Sequence, residues 1–358
     1  MQEEPIPNYQ LFSAPPALYE AMLSDIAAAK DYICLETYKF GNDSAGNRFR
    51  KALTEKSREG VNIKILIDSW GGGVPISYFS EMIRHGAEVR YFQKIVLAFD
   101  FFTKNHRRTH RKLLIIDDKI SYLGSANITG YSLDWRELQI RITGDMAHCF
   151  KKIFYQNFNL YQKYIFNKLN YRKAIHCLGF EIVQDMPSIY RQRIKKKFEE
   201  LIKNAQKQIL IETPYFIPGF KLRKALMDAA HRGVDVKVLM PQHSDVKIVD
   251  LLRNKYLGLI HRNKVKLLLY TPNNLHAKAM LVDDEIFCIT SANFDYRSFR
   301  YQHEIALLGR QKEIIKMLKS HMEETLSQCI PFNYDFFTQR PIIQKIFEIL
   351  LVPFRHLF

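Results

Sequence analysis

The sequence predicts an α/β protein built from two tandem domains of like construction, each a mixed sheet flanked by helices, the two related by pseudo-twofold symmetry. Three observations predict it. The chain has 358 residues, and domain-size priors favour two units of about 150–200 residues over one small core. The stretch ICLETYKFGNDSAGNRFRKALTEKSREGVNIKILIDSW (33–70) recurs as ILIETPYFIPGFKLRKALMDAAHRGVDVKVLMPQHS (209–244). Strand-like and helix-like periodicities alternate along both copies, the pattern of a largely parallel or mixed sheet covered by helices.

Taken in order, each copy opens on a short apolar strand that ends at Glu36 or Glu212. A helix follows with Leu and Ala at helical spacing, Lys51-Ala52-Leu53 standing opposite Lys224-Ala225-Leu226. Gly60 and Gly233 stop these helices, and VNIKILI and VDVKVLM resume as alternating strands. Each unit then reaches a strand-like cassette, RTHRKLLIIDD (108–118) or NNLHAKAMLVDD (273–284), and continues to LGSANI or ITSANF. The expected domains are 1–175 and 176–330, with the boundary in or after YQKYIFNKLNYRKAIHCLG, followed by an amphipathic, membrane-associating tail at 331–358.

Composition narrows the function. With 47% hydrophobic and 25% charged residues and no long Pro, Gly or Ser tract, the chain is globular rather than disordered. A net charge of +16 draws it to polyanions, either nucleic acid or an anionic bilayer, and charge does not separate the two. The five cysteines are scattered and lack CxxC spacing, which argues against a disulfide framework and a zinc site and for buried thiols. The start MQEEPIPNYQ has no signal-like pattern. No apolar run approaches the ~18–20 residues that cross a bilayer, so a lipid substrate is expected to be met from the side.

The cassettes carry the chemistry. His110, Lys112 and Asp117 stand in the spacing H-x-K-x4-D, and His276, Lys278 and Asp283 repeat it. On a strand, residues two apart share a face, which places an imidazole beside an ammonium. Lys supplies a point charge to phosphoryl oxygens, while His attacks phosphorus or protonates a leaving oxygen. Ser125 and Asn127, and Ser291 and Asn293, follow at a matching offset as donors to the remaining oxygens.

Doubling then has a chemical meaning. One domain provides a nucleophilic His and the other an acid-base His, and the two Lys and two Asn cradle one phosphodiester between the domains. No metal or cofactor is required, since the Lys pair supplies the positive charge. Asp117 and Asp283, which complete the candidate catalytic sets, sit beyond the strands and are expected to brace the turn. Glu137 and Glu304 are the expected orienters of the two His. Glu36 and Glu212 read equally as functional groups or as partners of a neighbouring base. The text NHRRTHRK surrounds His110 with Arg107, Arg108, Arg111 and Lys112. Those cations favour a neutral imidazole and so assign it as nucleophile, with His276 as acid.

One His-x-Lys occurs by chance in many sequences; two full patterns, each followed by Ser-Ala-Asn, do not. On these motifs the chain resembles the phospholipase D superfamily. Within it LETYKF, EGVNIKILID, TSANFDYRSF and the tail QRPIIQKIFEILLVPF are similar to the cardiolipin synthase branch. The resemblance implies two phospholipase D-like domains, a phosphohistidine intermediate, and phosphatidyl transfer from one phosphatidylglycerol to another with release of glycerol. It departs from the family at Thr290 (usually Gly), Gln302 (commonly Asn) and Glu137 (frequently Asp).

A module that only binds phosphate would not need a matched His pair, so an enzyme is expected. The alternative is a phosphodiesterase of the same superfamily that hydrolyses phospholipid or nucleic acid. Three stretches lean toward an anionic phospholipid met at a membrane surface, in peripheral association with a bacterial cell membrane and with no obligate protein partner. KIVLAFDFF (94–102) reads as an apolar loop at the site mouth or a buried strand. FYQNFNLYQKYIFNKLNYRK (154–173) reads as an interfacial or a core helix. PIIQKIFEILLVPFRHLF sets six apolar residues opposite Gln344, Lys345 and Glu348, and reads as a helix lying in the headgroup region or docked on the core.

Overall fold

The computed structural model describes residues 8–93, 105–160, 174–188 and 190–355. The KIVLAFDFF stretch and residues 161–173 lie outside the described residues. The chain forms two compact units, Met1–Ile182 and Val183–Phe358, each mixed α/β.

In the first unit β1 (Tyr9–Phe12), β2 (Tyr32–Thr37), β3 (Asn62–Asp68), β4 (Glu88–Phe92), β6 (Leu113–Ile116), β7 (Ile120–Gly124) and β8 (Gln139–Thr143) form one sheet, with the two-residue β5 (Arg108–Thr109) just ahead of β6. The order is β1-β8-β7-β6-β2-β3-β4. β2, β3 and β4 run parallel, and β6 turns the pairing antiparallel at β2. Helices α1 (Pro15–Ala28) and α2 (Ser44–Arg58) bury Leu18, Met22, Phe49 and Leu53 against Ile33, Leu35, Ile63 and Ile65. The short α3 (Ser80–Arg84) packs beside α2, and α4 (Met146–Phe158) covers the opposite face over β6, β7 and β8. Alternation explains the division: Ile33 and Leu35 face the first layer, while Cys34 and Glu36 face α4.

The second unit repeats this order. β9 (Ile175–Cys177) belongs to the first unit and β10 (Phe180–Asp185) runs across the boundary; the strands of the second unit are then β11 (Gln208–Glu212), β12 (Asp235–Pro241), β13 (Lys266–Tyr270), β14 (Ala279–Val282), β15 (Ile286–Thr290), β16 (Gln302–Gly309) and β17 (Cys329–Pro331). From β10 the sheet runs β16-β15-β14-β11-β12-β13, with β17 added at the edge. Helices α5 (Arg193–Asn204) and α6 (Phe220–His231) pack together, and α7 (Lys247–Arg262) lies beside β13. The short α8 (Tyr296–Tyr301) precedes β16, and α9 (Lys312–Ser327) covers β13, β14 and β15.

The predicted glycine stops are real caps. Gly60 has φ +88° and Gly233 φ +92°. In each, the glycine N–H and the following Val N–H reach back to the last turn: Gly60 to Ser57 O and Val61 to Lys56 O, Gly233 to Ala230 O and Val234 to Ala229 O. These are matched Schellman motifs, in which a side chain at the left-handed position would be strained.

One expectation changes. The scattered cysteines are not all thiols, because Cys149 on α4 is disulfide-bonded to Cys177 on β9, while Cys34 and Cys288 are buried thiols. The pairing is set by where the α4 end and the β9–β10 hairpin meet, which a 28-residue separation does not announce. The tail does not dock by its apolar side. After α10 (Tyr334–Thr338), α11 (Ile342–Leu351) packs on α7 with Glu348 buried and its apolar residues exposed. Among the described residues no helix is long and apolar enough to cross a membrane.

Candidate active site

Each cassette is held in place by a type of turn its sequence encodes. Between β6 and β7, Asp117 and Asp118 have φ of 51° and 52°, and Lys119 N–H bonds to Ile116 O. Between β14 and β15, Asp283 and Asp284 both have φ of 55°, and Glu285 N–H bonds to Val282 O. Two successive positive φ values are what a type I′ hairpin turn requires, and Asp tolerates them better than most side chains.

The first Asp of each pair then reaches across the sheet end. Asp117 accepts backbone N–H bonds from Lys30, Asp31 and Tyr32 at 2.7, 2.9 and 2.8 Å. Asp283 accepts from Gln206, Lys207 and Gln208 at 2.9, 2.7 and 2.9 Å. Both carboxylates therefore clamp the entry of β2 or β11 to the far end of the cassette strand. Burial alone would raise the Asp283 pKa, but the three N–H bonds prevail and hold its carboxyl below the usual range.

At the other end of the strand, His110 and Lys112 lie just before β6, and His276 and Lys278 just before β14, rather than on the strands themselves. All four are buried. Lys112 Nζ donates to His110 O at 2.7 Å and Lys278 Nζ to His276 O at 2.8 Å, so each ammonium folds back over its own histidine. In the second unit Lys278 Nζ also lies 3.1 Å from His276 Nε2.

Behind the cassettes stand the serines and glutamates. Ser125 Oγ donates to Glu137 and accepts from Leu138 N–H at 2.9 Å. Ser291 Oγ donates to Glu304 and accepts from Ile305 N–H at 3.0 Å. Both serines are fully buried. The hydroxyl donors expected to face a phosphate are thus committed to the carboxylates, and they fix Glu137 and Glu304 in place. Ser291→Ala would leave a buried carboxylate and the Ile305 N–H each short of a partner, at a cost of about 1–3 kcal/mol; a urea midpoint lowered at unchanged slope would show it.

The asparagines differ between units. Asn127 Oδ1 accepts from Lys39 N–H at 3.2 Å, whereas Asn293 Oδ1 is buried with no hydrogen-bond partner among the described residues.

Sequence reasoning missed Tyr38. Its ring meets His110 edge-on, with centroids 5.2 Å apart, and lies 5.4 Å from Lys112 Nζ. Pro214 holds the corresponding place after Glu212-Thr213, so the two cassettes do not have identical walls. The pair Glu36 and Glu212 also resolves differently in the two units. Burial raises the Glu36 pKa against the opposing charge of Arg111, and Glu36 Oε1 accepts from Thr109 Oγ1 and Asn157 Nδ2, both at 2.5 Å. Asp68 Oδ2 accepts from Thr109 N–H at 2.9 Å. Two acids thus anchor the residue that precedes His110. In the second unit Ala277 replaces Arg111, and Glu212 is paired with the buried His321 at 2.8 Å.

Known proteins place this arrangement. The family model described as "Cardiolipin synthase, PLD-like domain" matches residues 22–158 and 198–326. The chain is 30% identical to a cardiolipin synthase of Clostridium perfringens over 94% of its own length and 74% of that protein's. It is 33% identical to the major cardiolipin synthase of Bacillus subtilis over 92% and 71%. The phosphatidylserine synthase of Haemophilus influenzae shares the fold, with a TM-score of 0.78 at 15% identity over 98% of this chain and 95% of that one. Matched over most of both units, and by relatives at this identity along nearly its whole length, the chain belongs to the cardiolipin synthase family of phospholipase D-like proteins.

Proposed function

We propose that the protein is a phosphatidyltransferase that makes cardiolipin from two molecules of phosphatidylglycerol at the surface of a bacterial membrane. The observation that carries this is the duplicated cassette: in each unit a buried His and Lys stand at one end of a strand whose other end is clamped by Asp. Named cardiolipin synthases at 30–33% identity supply the substrate class. Hydrolysis of phospholipid or nucleic acid, the alternative open to this chemistry, has no such support.

Both cassettes act on one phosphodiester. An imidazole nitrogen of His110 attacks phosphorus, and the bond from phosphorus to the glycerol oxygen breaks. His276 gives that oxygen its proton, and glycerol leaves. The hydroxyl of a second phosphatidylglycerol then yields its proton to His276 and attacks phosphorus, which breaks the phosphorus–nitrogen bond and releases cardiolipin. Lys112 and Lys278 neutralise charge on the phosphoryl oxygens, and Asn127 and Asn293 donate amide N–H bonds to them. Lys278 Nζ lies 3.1 Å from His276 Nε2, so both groups can reach the same phosphate. Glu137 and Glu304, held by the serines, orient the two imidazoles.

The test is to incubate the chain with phosphatidylglycerol vesicles and identify products by mass spectrometry, with single-stranded DNA as control. Cardiolipin and free glycerol are expected; phosphatidic acid alone, or cleaved DNA, would overturn the assignment. Because the lysines carry the compensating charge, activity is expected to survive excess chelator. Loss that a divalent ion restores would contradict that.

A further inference from the structure

The C-terminal helix is docked inside out. Glu348 is 3% exposed, whereas Ile342, Ile343, Ile346, Phe347, Ile349 and Leu350 are 50–74% exposed. Its attachment to the body is polar. Glu348 Oε1 accepts from Asn254 Nδ2 on α7 and from Gln344 Nε2, both at 3.1 Å, and Glu348 Oε2 pairs with Arg340 at 2.9 Å. Arg340 in turn stacks 3.4 Å over the Phe337 ring. A helix that serves only to complete a core does the reverse, turning its apolar stripe inward.

The apolar surface does not stop at α11. A cleft of about 910 Å³ adjoins it, walled by Leu251, Leu257, Leu269, Ile330, Phe332 and Phe336, and Phe336 is 75% exposed. Cations border the same region. Lys247 opens α7 at the cleft, and Lys255, Arg262 and Lys345 line a second, smaller recess between α7 and α11. Lys247, Lys255 and Arg262 are exposed. Of the acids in this region Asp245 and Asp335 are exposed, Asp250 on the cleft wall lies 3.3 Å from Arg253, and Glu348 is paired with Arg340.

We propose that α11 and the adjoining cleft form a docking face for an anionic bilayer. The exposed Ile, Phe and Leu side chains enter the acyl boundary, while Lys247, Lys255 and Arg262 meet lipid phosphates. Charge selects this occupant over a second copy of the chain, which would bring the same cations face to face. The inference rests on the lipid substrate named above but concerns a surface the transfer chemistry does not use.

Vesicle flotation of the full chain tests it, with phosphatidylglycerol/phosphatidylcholine (1:1) and pure phosphatidylcholine vesicles. The double variant Ile343→Glu/Phe347→Glu alters only exposed side chains, and an unchanged circular dichroism spectrum and Tm would confirm its fold. Its partitioning onto the anionic vesicles is expected to fall by about tenfold or more, and Lys247→Glu/Lys255→Glu is expected to remove the salt-sensitive part of the binding. Turnover of monomeric short-chain phosphatidylglycerol separates the two claims: a wild-type chain inactive on it would sink the proposed function and leave flotation to judge the docking face. Wild-type flotation by the Ile343→Glu/Phe347→Glu variant would overturn the docking face. So would a wild-type dimer that this variant renders monomeric while vesicle binding is unchanged.

Discussion

His110→Ala and His276→Ala are each expected to lower phosphatidyl transfer by about four orders of magnitude while leaving the fold intact. In the proposed mechanism each side chain carries one chemical role, and each sits just ahead of a strand, so the sheet pairing does not depend on it. If, as proposed, the two roles serve one phosphate, the double variant should be no worse than the more damaged single one, as groups acting as a unit are not additive. Two independent sites would behave differently, each single variant retaining about half of wild-type activity. Initial rates on phosphatidylglycerol vesicles, with thermal unfolding measured in parallel, distinguish the two outcomes.

Asp283→Ala is expected to act on stability instead. It leaves the Gln206, Lys207 and Gln208 N–H groups without their acceptor and puts alanine at φ 55°. Two of those donors are exposed, so water replaces part of the loss, and the net cost is about 2–3 kcal/mol. The expected Tm decrease is roughly 5–10 °C. Asp283→Asn should cost less, since Asn keeps an acceptor oxygen and tolerates the left-handed conformation. The depressed carboxyl pKa fixes the sign of the pH dependence: the clamp contributes fully above the unfolded carboxylate value of about 3.9 and is lost as pH falls through the lower folded value. At a temperature where the Ala variant remains folded, its rate should stay within a few-fold of wild type. A thousand-fold slower but equally stable Asp283→Ala protein would make this residue a participant in the chemistry.

Much of this was legible because it repeats. The β-α-β units, Gly60 and Gly233 as caps, and the Asp pairs at the ends of IIDD and LVDD are set by local backbone requirements, so each leaves the same residue type at the same offset twice. What was not legible depends on contacts distant in sequence. Tyr38 reaches His110 from the end of a neighbouring strand. Cys149 meets Cys177 through a helix and a hairpin. The serine hydroxyls belong to Glu137 and Glu304 because the strand after each turn returns alongside them. For α11 the amphipathic pattern was plain, but the direction it faces is decided by Arg340 and Asn254, which no periodicity within the helix records.

The central claim is that both cassettes serve one phosphate through one covalent intermediate, and trapping that intermediate tests it most directly. The chain is mixed with a short-chain phosphatidylglycerol, quenched in base to preserve the acid-labile phosphorus–nitrogen bond, digested, and mapped by mass spectrometry. One phosphatidyl group per chain, on the peptide bearing His110, is the predicted result. Label on His276 alone, on both histidines of one chain, or on neither while cardiolipin forms would contradict it.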